Sequence, residues 1–378
     1  MSKGWFVNAY EIHHWADENP RKAQEELPDL VARLIRANSK PKYFRVLSGD
    51  EVTLHGYDMI LEVDEGNSFV PAGTSVWEIG TGKNPKKKAE KDYQDRTKNP
   101  YGIDIKNTTF VFVTSRKWRD KNEWEIEKNA EGKWKRVRVL DAVDLKEWLH
   151  QCPAVHRWFA RKIGKRPKGA FDIGQAWDEW RSATEPSSNE NLVIAGRTEE
   201  AKKFIQKLKN ESPSVIRVFG ESKDGAYTLI LASIIKKAQE LLPRVLIIND
   251  AKEWLSAIES ESPLILIPSF DNTMNWRLAV NKGHWVILPE SNPQNRNQDG
   301  NIVLPRPNKQ SLIKALIEMG IDEEKAQKMV RDTKGFITPL RRLLGDFKEP
   351  KWAQPENATN LITALLIGAW DGKNDHAT

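Results

Sequence analysis

The chain has 378 residues, 30% of them charged, with a formal net charge of +6 and a mean hydropathy of −0.62. That length supports two or three domains, and no run approaches the roughly eighteen apolar residues of a membrane-spanning helix. A single cysteine, Cys152, excludes an intrachain disulfide framework and a cysteine-based zinc site, and MSKGWFVNAY at the N-terminus has no apolar signal-peptide core, so a reducing cytoplasm is the expected compartment.

In chain order, LPDLVARLIRAN places Leu27, Leu30, Val31, Leu34 and Ile35 at i, i+3, i+4, i+7 and i+8, which predicts a helix with one buried face. GYDMILEV reads as a strand around Met59, Ile60, Leu61 and Val63. SFVPAGTSVWEIG reads as a turn at 70–73 followed by a strand over 75–79. NPKKKAEKDYQDRT predicts a helix that starts at Asn84-Pro85 and packs through Ala89 and Tyr93. Thr108–Thr114 is a continuous β-branched and aromatic run, the pattern of a buried strand. Residues 122–136 read as a hairpin turning at 129–132, and DAVDLKEWLHQ and PAVHRWFARKIGK as two helices. Together these make an α/β domain over residues 1–165.

Residues 166–190 shift to Gly, Pro, Ser and charge and read as a linker with one short helix. From 191 to 305, strand and helix alternate five times, starting with LVIAG as a strand, which predicts a doubly wound parallel sheet. Residues 306–378 read as a helical lid, KQSLIKALIEMG, DEEKAQKMVRDTKG and ITPLRRLLG, and then as the start of a further helical region, as in a piece of a longer chain. The fifteen tryptophans sit mostly in amphipathic stretches, where packing is the expected role, with base stacking open to a few.

Asp58 closes the approach to one strand and Glu78 lies on the next. Two carboxylates on neighbouring strands can hold a hard divalent cation through oxygen, and a nearby lysine can stabilise the charge of a phosphoryl transition state. The combination points to metal-assisted phosphodiester cleavage with Mg²⁺ or Mn²⁺ as cofactor. Residues 81–100 carry seven Lys/Arg against three Asp/Glu, and 157–168 carry six basic residues and no acid. Either run could follow a nucleic-acid backbone or form a solvated face. His13, His14 and His55 have no metal-ligand spacing, and Cys152 has no partner for nucleophilic work, so both are read as structural.

GYD, FVPAGTSVWEIGT, KAEKDYQDRT, TTFVFVTSRKW and DAVDLKEWL resemble the PD-(D/E)XK, restriction-endonuclease-like nucleases, in the Mrr-like branch that heads bacterial antiphage defence proteins. The resemblance covers residues 1–165. It implies Asp58 and Glu78 as the metal-binding acids. The family's strand lysine falls on Gly80 here, and some members move that lysine to the following helix. Lys88 is then the first candidate for the catalytic lysine, with Lys83, Lys86 and Lys87 behind it as alternatives; these three are also expected to contact DNA phosphate, joined by Arg96 and Tyr93.

In the second half, Gly220 and Gly225 have the spacing of a phosphate-binding loop, but Ala226 stands at the lysine position, Tyr227 at the Ser/Thr position, and Thr228 is one residue late. Asp271 ends the strand that would carry the second metal-holding acid, and Arg341 and Arg342 follow in the helical lid. The order of elements resembles the NTPase module of STAND proteins, signal-transducing ATPases that oligomerise on a trigger. ATP hydrolysis is not expected without the lysine, and whether ATP binds is left open. The two resemblances imply an antiphage effector that cuts double-stranded DNA, gated by homo-oligomeric assembly in response to a phage-derived trigger, away from any membrane. The alternative is a catalytically inactive nucleic-acid-binding or assembly module in which both motifs have decayed.

Overall fold

A computed structural model of the chain describes residues 4–46, 56–270, 276–291 and 300–345. The chain is α/β and divides into two compact units, residues 1–176 with 202–303, and residues 177–201 with 304–378.

The first unit opens with α1 (Ala9–Glu18) and α2 (Pro20–Asn38). Asn8 caps α1 in a reciprocal box with Glu11, which satisfies amides that a helix start leaves open. In α2 the predicted stripe of Leu27, Leu30, Val31, Leu34 and Ile35 is buried, and the helix begins seven residues earlier than the stripe, at Pro20, where a proline suits the first turn. Five strands follow: β1 (Pro41–Val46), β2 (Met59–Val63), β3 (Gly73–Gly80), β4 (Thr109–Thr114) and β5 (Arg136–Leu140), in that spatial order. The β1–β2 and β2–β3 pairs are antiparallel, whereas the β3–β4 and β4–β5 pairs are parallel. One face of this sheet packs on α1, α2 and the helices α5 (Ala142–Gln151) and α6 (Pro153–Lys162), through Met59, Trp77, Val111 and Trp148. The other packs on α3 (Pro85–Lys98) through Val76, Phe110, Phe112, Ala89 and Tyr93.

The hairpin expected over 122–136 does not form. Its first arm is a helix, α4 (Lys121–Ala130), and only the second arm is a strand, β5. The reason lies in the sheet edge. Asn129 donates through Nδ2 to Val137 O and accepts at Oδ1 from Val137 N, while Glu125 accepts from Val139 N. Glu125 and Asn129, one helical turn apart, thereby occupy the backbone groups that β5 would otherwise expose at an edge.

A second sheet has the order β11-β7-β10-β9-β8-β6. Its core strands are β7 (Val215–Phe219), β8 (Val245–Ile248), β9 (Ile265–Pro268) and β10 (Trp285–Glu290), all parallel, as the alternation predicted. Its edges were not foreseen. β6 (Ala170–Asp172) lies in the stretch read as linker and pairs antiparallel with β8, and β11 (Ile302–Val303) pairs parallel with β7. Between β7 and β8 runs α10 (Lys223–Lys237), an apolar helix buried continuously from Thr228 to Ile234.

In the second unit LVIAG is not a strand. Residues Glu190–Ile194 form a short helix, α8, whose first turn is capped by Asn189 accepting from Leu192 N. Its Leu192 packs with α13 (Lys309–Glu318), α14 (Glu323–Asp332) and α15 (Ile337–Leu344), the helices expected over 308–346. The apolar run over 360–370 lies outside the described residues.

Candidate active site

Strand periodicity builds the site. In β3, Trp77 turns to the α1–α2 side of the sheet and Val76 to the α3 side, so Glu78 and Gly80 share the face of Val76. On the antiparallel neighbour β2, Met59 pairs with Trp77, which sets Asp58 beside Glu78. Asp58 Oδ2 accepts from the Ile79 amide at 2.7 Å, one residue beyond the last ladder pair, and this bond fixes its carboxylate against β3. The two acids read from the sequence are therefore neighbours, and Glu78 is 2% exposed.

Helix α3 supplies the facing groups. Lys88, Asp92 and Arg96 stand at i, i+4 and i+8, one stripe of the helix. At its start, the Lys88 stem lies over Gly80: a Cβ on that glycine would stand 3.0 Å from Lys88 Cγ and 3.1 Å from Phe112 Cζ. The helix lysine thus fills the space that a side chain at position 80 would take. Lys88 Nζ donates to Asp92 Oδ1 at 2.6 Å. At the other end of the stripe, Arg96 Nε pairs with Glu78 Oε1 and Nη2 donates to Gly56 O. Its guanidinium lies 5.3 Å from the Tyr57 ring centroid and 5.4 Å from that of Tyr101.

Burial dominates the electrostatics. It pushes Glu78 up to about 8, with Arg96 pulling the other way and the Asp58 charge adding to the rise. It also raises Asp58, against the Ile79 amide and Lys88, and raises Asp92, against Lys88. Three carboxylates face two cationic side chains here, so full ionisation leaves one negative charge to be matched. Oxygen donors carrying surplus negative charge fit a hard divalent cation. Among the described residues no group of three or more His, Cys, Asp or Glu is gathered as a ready ligand set. A cation on Asp58 and Glu78 would take its remaining ligands from water and phosphate, which suits Mg²⁺.

No protein-family model matches the chain, and no curated protein matches it.

The other residues singled out in the sequence fall into distinct settings. Lys83, Lys86 and Lys87 are exposed around the N-terminus of α3, where Asn84 caps the Lys87 amide. Tyr93 is not a phosphate contact: it is 1% exposed, and its hydroxyl is hydrogen-bonded to Glu131. The basic run at 157–168 is largely engaged within the molecule. Arg157 pairs with Glu253, Arg161 with Asp172, Lys162 with Glu26 and Lys165 with Glu11. Cys152 is buried, its thiol pushed up to about 12 by desolvation. His13 accepts from Lys117 N and pairs with Asp17, and His14 pairs with Glu18. His55 lies outside the described residues.

The loop after β7 is compact. Helix α10 begins at Lys223, so Gly225 already sits in its first turn, with its amide donated to Ser222 Oγ at 3.0 Å. Gly220 N is held by Glu290 O, and a Cβ at Gly220 would stand 2.9 Å from Ser222 O. The Thr228 hydroxyl turns back onto Asp224 O and Gly225 O of its own helix. Gly220, Gly225 and Thr228 therefore form a tight helix start in place of an open cradle of amides. Asp271 lies outside the described residues. Arg341 stacks on Trp180, 3.9 Å from the ring centroid, within the helical unit.

Asp92 is the group that reading the sequence missed. Its signal was present as the Lys88, Asp92, Arg96 stripe, but a lysine and an aspartate four apart on a charged helix read as a surface pair.

Proposed function

We propose that this chain is a divalent-cation-dependent endonuclease of the restriction-endonuclease-like kind, acting on double-stranded DNA. The observation that carries the reading is the Lys88 stem over Gly80, beside the buried Glu78 and the half-buried Asp58 that precedes the adjacent strand. It supports a lysine moved from strand to helix rather than lost. Asp58 and Glu78 would hold Mg²⁺ or Mn²⁺. Such a cation, when bound, supplies charge neutralisation at the phosphate and a more acidic water.

The chain's own residues would do the rest. Lys88 donates to a non-bridging oxygen as the bond from water oxygen to phosphorus forms and the bond to the leaving oxygen breaks, the attacking water's proton passing to solvent and the leaving oxygen taking up a proton from solvent. Lys83, Lys86 and Lys87 hold the backbone. Lysines in the first turn of a helix oppose its dipole, a placement that a bound polyanion would offset. Arg96 compensates Glu78 and packs its guanidinium against the buried Tyr57 and the exposed Tyr101. The compact turn at 220–225 supports a second sheet used for packing and assembly rather than ATP turnover, consistent with an antiphage effector gated by homo-oligomerisation.

A second reading, a catalytically silent nucleic-acid-binding or assembly module, is favoured by the internal pairing of Glu78 with Arg96 and of Lys88 with Asp92. Supercoiled plasmid incubated with Mg²⁺ or Mn²⁺ separates the two. The nuclease reading expects nicked and linear product from wild type and a loss of about 100-fold or more in Asp58→Ala, Glu78→Ala and Lys88→Ala. Intact plasmid with every metal, including after the protein is forced to assemble, would leave only the silent module.

A further inference from the structure

We propose that Asp92 is the third functional acid of this site, its Oδ2 accepting a hydrogen bond from the water that attacks the phosphodiester. The proposal rests on the hydrolytic reading above and extends it to a residue outside the family's acid–acid–lysine pattern.

Asp92 is 6% exposed. Lys88 holds Oδ1 at 2.6 Å, whereas Oδ2 is shielded from solvent and has no hydrogen-bond partner among the described residues. A buried carboxylate oxygen without a partner is costly, of order 1–3 kcal/mol or more, and calls for an explanation. The stripe on α3 says which way the group faces. One turn before Asp92, Lys88 lies over Gly80 of β3, and one turn after it, Arg96 pairs with Glu78 of β3. Asp92, between them on the same stripe, faces the same strand and lies in the field of both Asp58 and Glu78. A structural ion pair with Lys88 accounts for only one oxygen, and Lys88 is itself 43% exposed and needs no buried partner. An acceptor for water accounts for the other oxygen. With Oδ1 held by Lys88, the carboxylate is oriented so that Oδ2 is left to hold a water hydrogen. A hydrated cation on Asp58 and Glu78 brings such a water within the same cluster, since Mg²⁺ keeps several of its waters.

The test compares wild type, Asp92→Asn and Asp58→Asn in two readouts: plasmid cleavage, and melting temperature with and without millimolar Mg²⁺ or Mn²⁺. Asparagine keeps the shape and can still accept from Lys88, but removes the surplus charge. The expectation for Asp92→Asn is a cation-free melting temperature equal to or above wild type, a smaller cation-induced rise, and cleavage reduced about 100-fold. If Asp92→Asn does not fold, Asp92→Ser, smaller and neutral, is held to the same two losses. An Asp92 variant that cleaves and responds to cation like wild type, while Asp58→Asn loses both, overturns the proposal alone. So does a variant that melts well below wild type yet keeps its cation response, because that is a structural ion pair. Wild type with neither cleavage nor cation response overturns the hydrolytic reading and this proposal with it.

Discussion

Gly80 is where the chain departs from the pattern that Asp58 and Glu78 begin, and its surroundings make the departure testable. A methyl group there would press on Lys88 Cγ and on the ring of Phe112, which is fully buried. The lysine stem must then give way. Gly80→Ala is expected to cost about 1 kcal/mol in a denaturant titration, while cleavage falls about 10-fold or more through misplacement of the ammonium. A second arrangement checks the same geometry from the other side. Gly80→Lys in a Lys88→Ala background is expected to recover cleavage relative to Lys88→Ala alone, and no recovery would count against the exchange of positions. Asp58 and Glu78 were readable because period-two alternation and an antiparallel turn leave few ways to arrange them. Lys88 was readable once Gly80 was seen to be empty of side chain. Asp92 was not, because burial is a property of the packed helix and its sequence context is charged throughout. The same limit applies to Arg157 and Lys165, whose acidic partners Glu253 and Glu11 are distant in the chain.

At the scale of elements, α4 and β5 show how a local pattern can mislead. NEWEIEK alternates well enough for a strand, yet Trp124 and Lys128 are buried four residues apart on one helical face. What decides between the two periods is tertiary. Glu125 and Asn129 serve the open edge of β5, and only a helix brings both to it. Asn129→Ala removes both bonds to Val137 and leaves an amide and a carbonyl without partners, so a loss of about 2–3 kcal/mol is expected. The check is a chemical denaturation series with Asn129→Asp alongside. Aspartate can still accept from Val137 N but cannot donate to Val137 O, so it should fall between wild type and alanine. Equal stability of Asn129→Ala and wild type would mean that solvent replaces the side chain without cost. The doubly wound order of β7 to β10 was legible for the opposite reason: its strands are continuous apolar runs set between helices, and length alone separates the two. Its two short edges, β6 and β11, carry no such run.

For the whole molecule, two buried groups set opposing slopes of stability with pH. Burial holds Glu78 at about 8 against an ordinary 4.5. Between those values the folded chain binds the proton that the unfolded chain has lost, so stability falls as pH rises through that window. Asp58 and Asp92, both raised by burial, act in the same direction. His156 does the reverse. It accepts the Val7 amide at 2.9 Å and is ringed by Trp5, Phe6 and His150, and burial drops it to about 3 from 6.5. The unfolded chain therefore gains a proton first as pH falls from 6.5 to 3, and stability is lost across that range. Glu131, held at about 2 chiefly by Lys133, adds to the acid loss below 4.5. The slopes of Glu78 and His156 oppose each other only between 4.5 and 6.5, so without cation the melting temperature should peak at about pH 5–6 and decline on both sides. Glu78→Gln is expected to flatten the alkaline limb and His156→Gln the acid limb, each leaving the other limb in place. Saturating Mg²⁺ or Mn²⁺ should flatten the alkaline limb of wild type as well, because a cation that binds ionised carboxylates gains on the folded state as those protons leave. A melting temperature that climbs steadily to pH 8 without cation would show that Glu78 is ionised in the fold across that range, and would overturn the alkaline limb assigned to its burial.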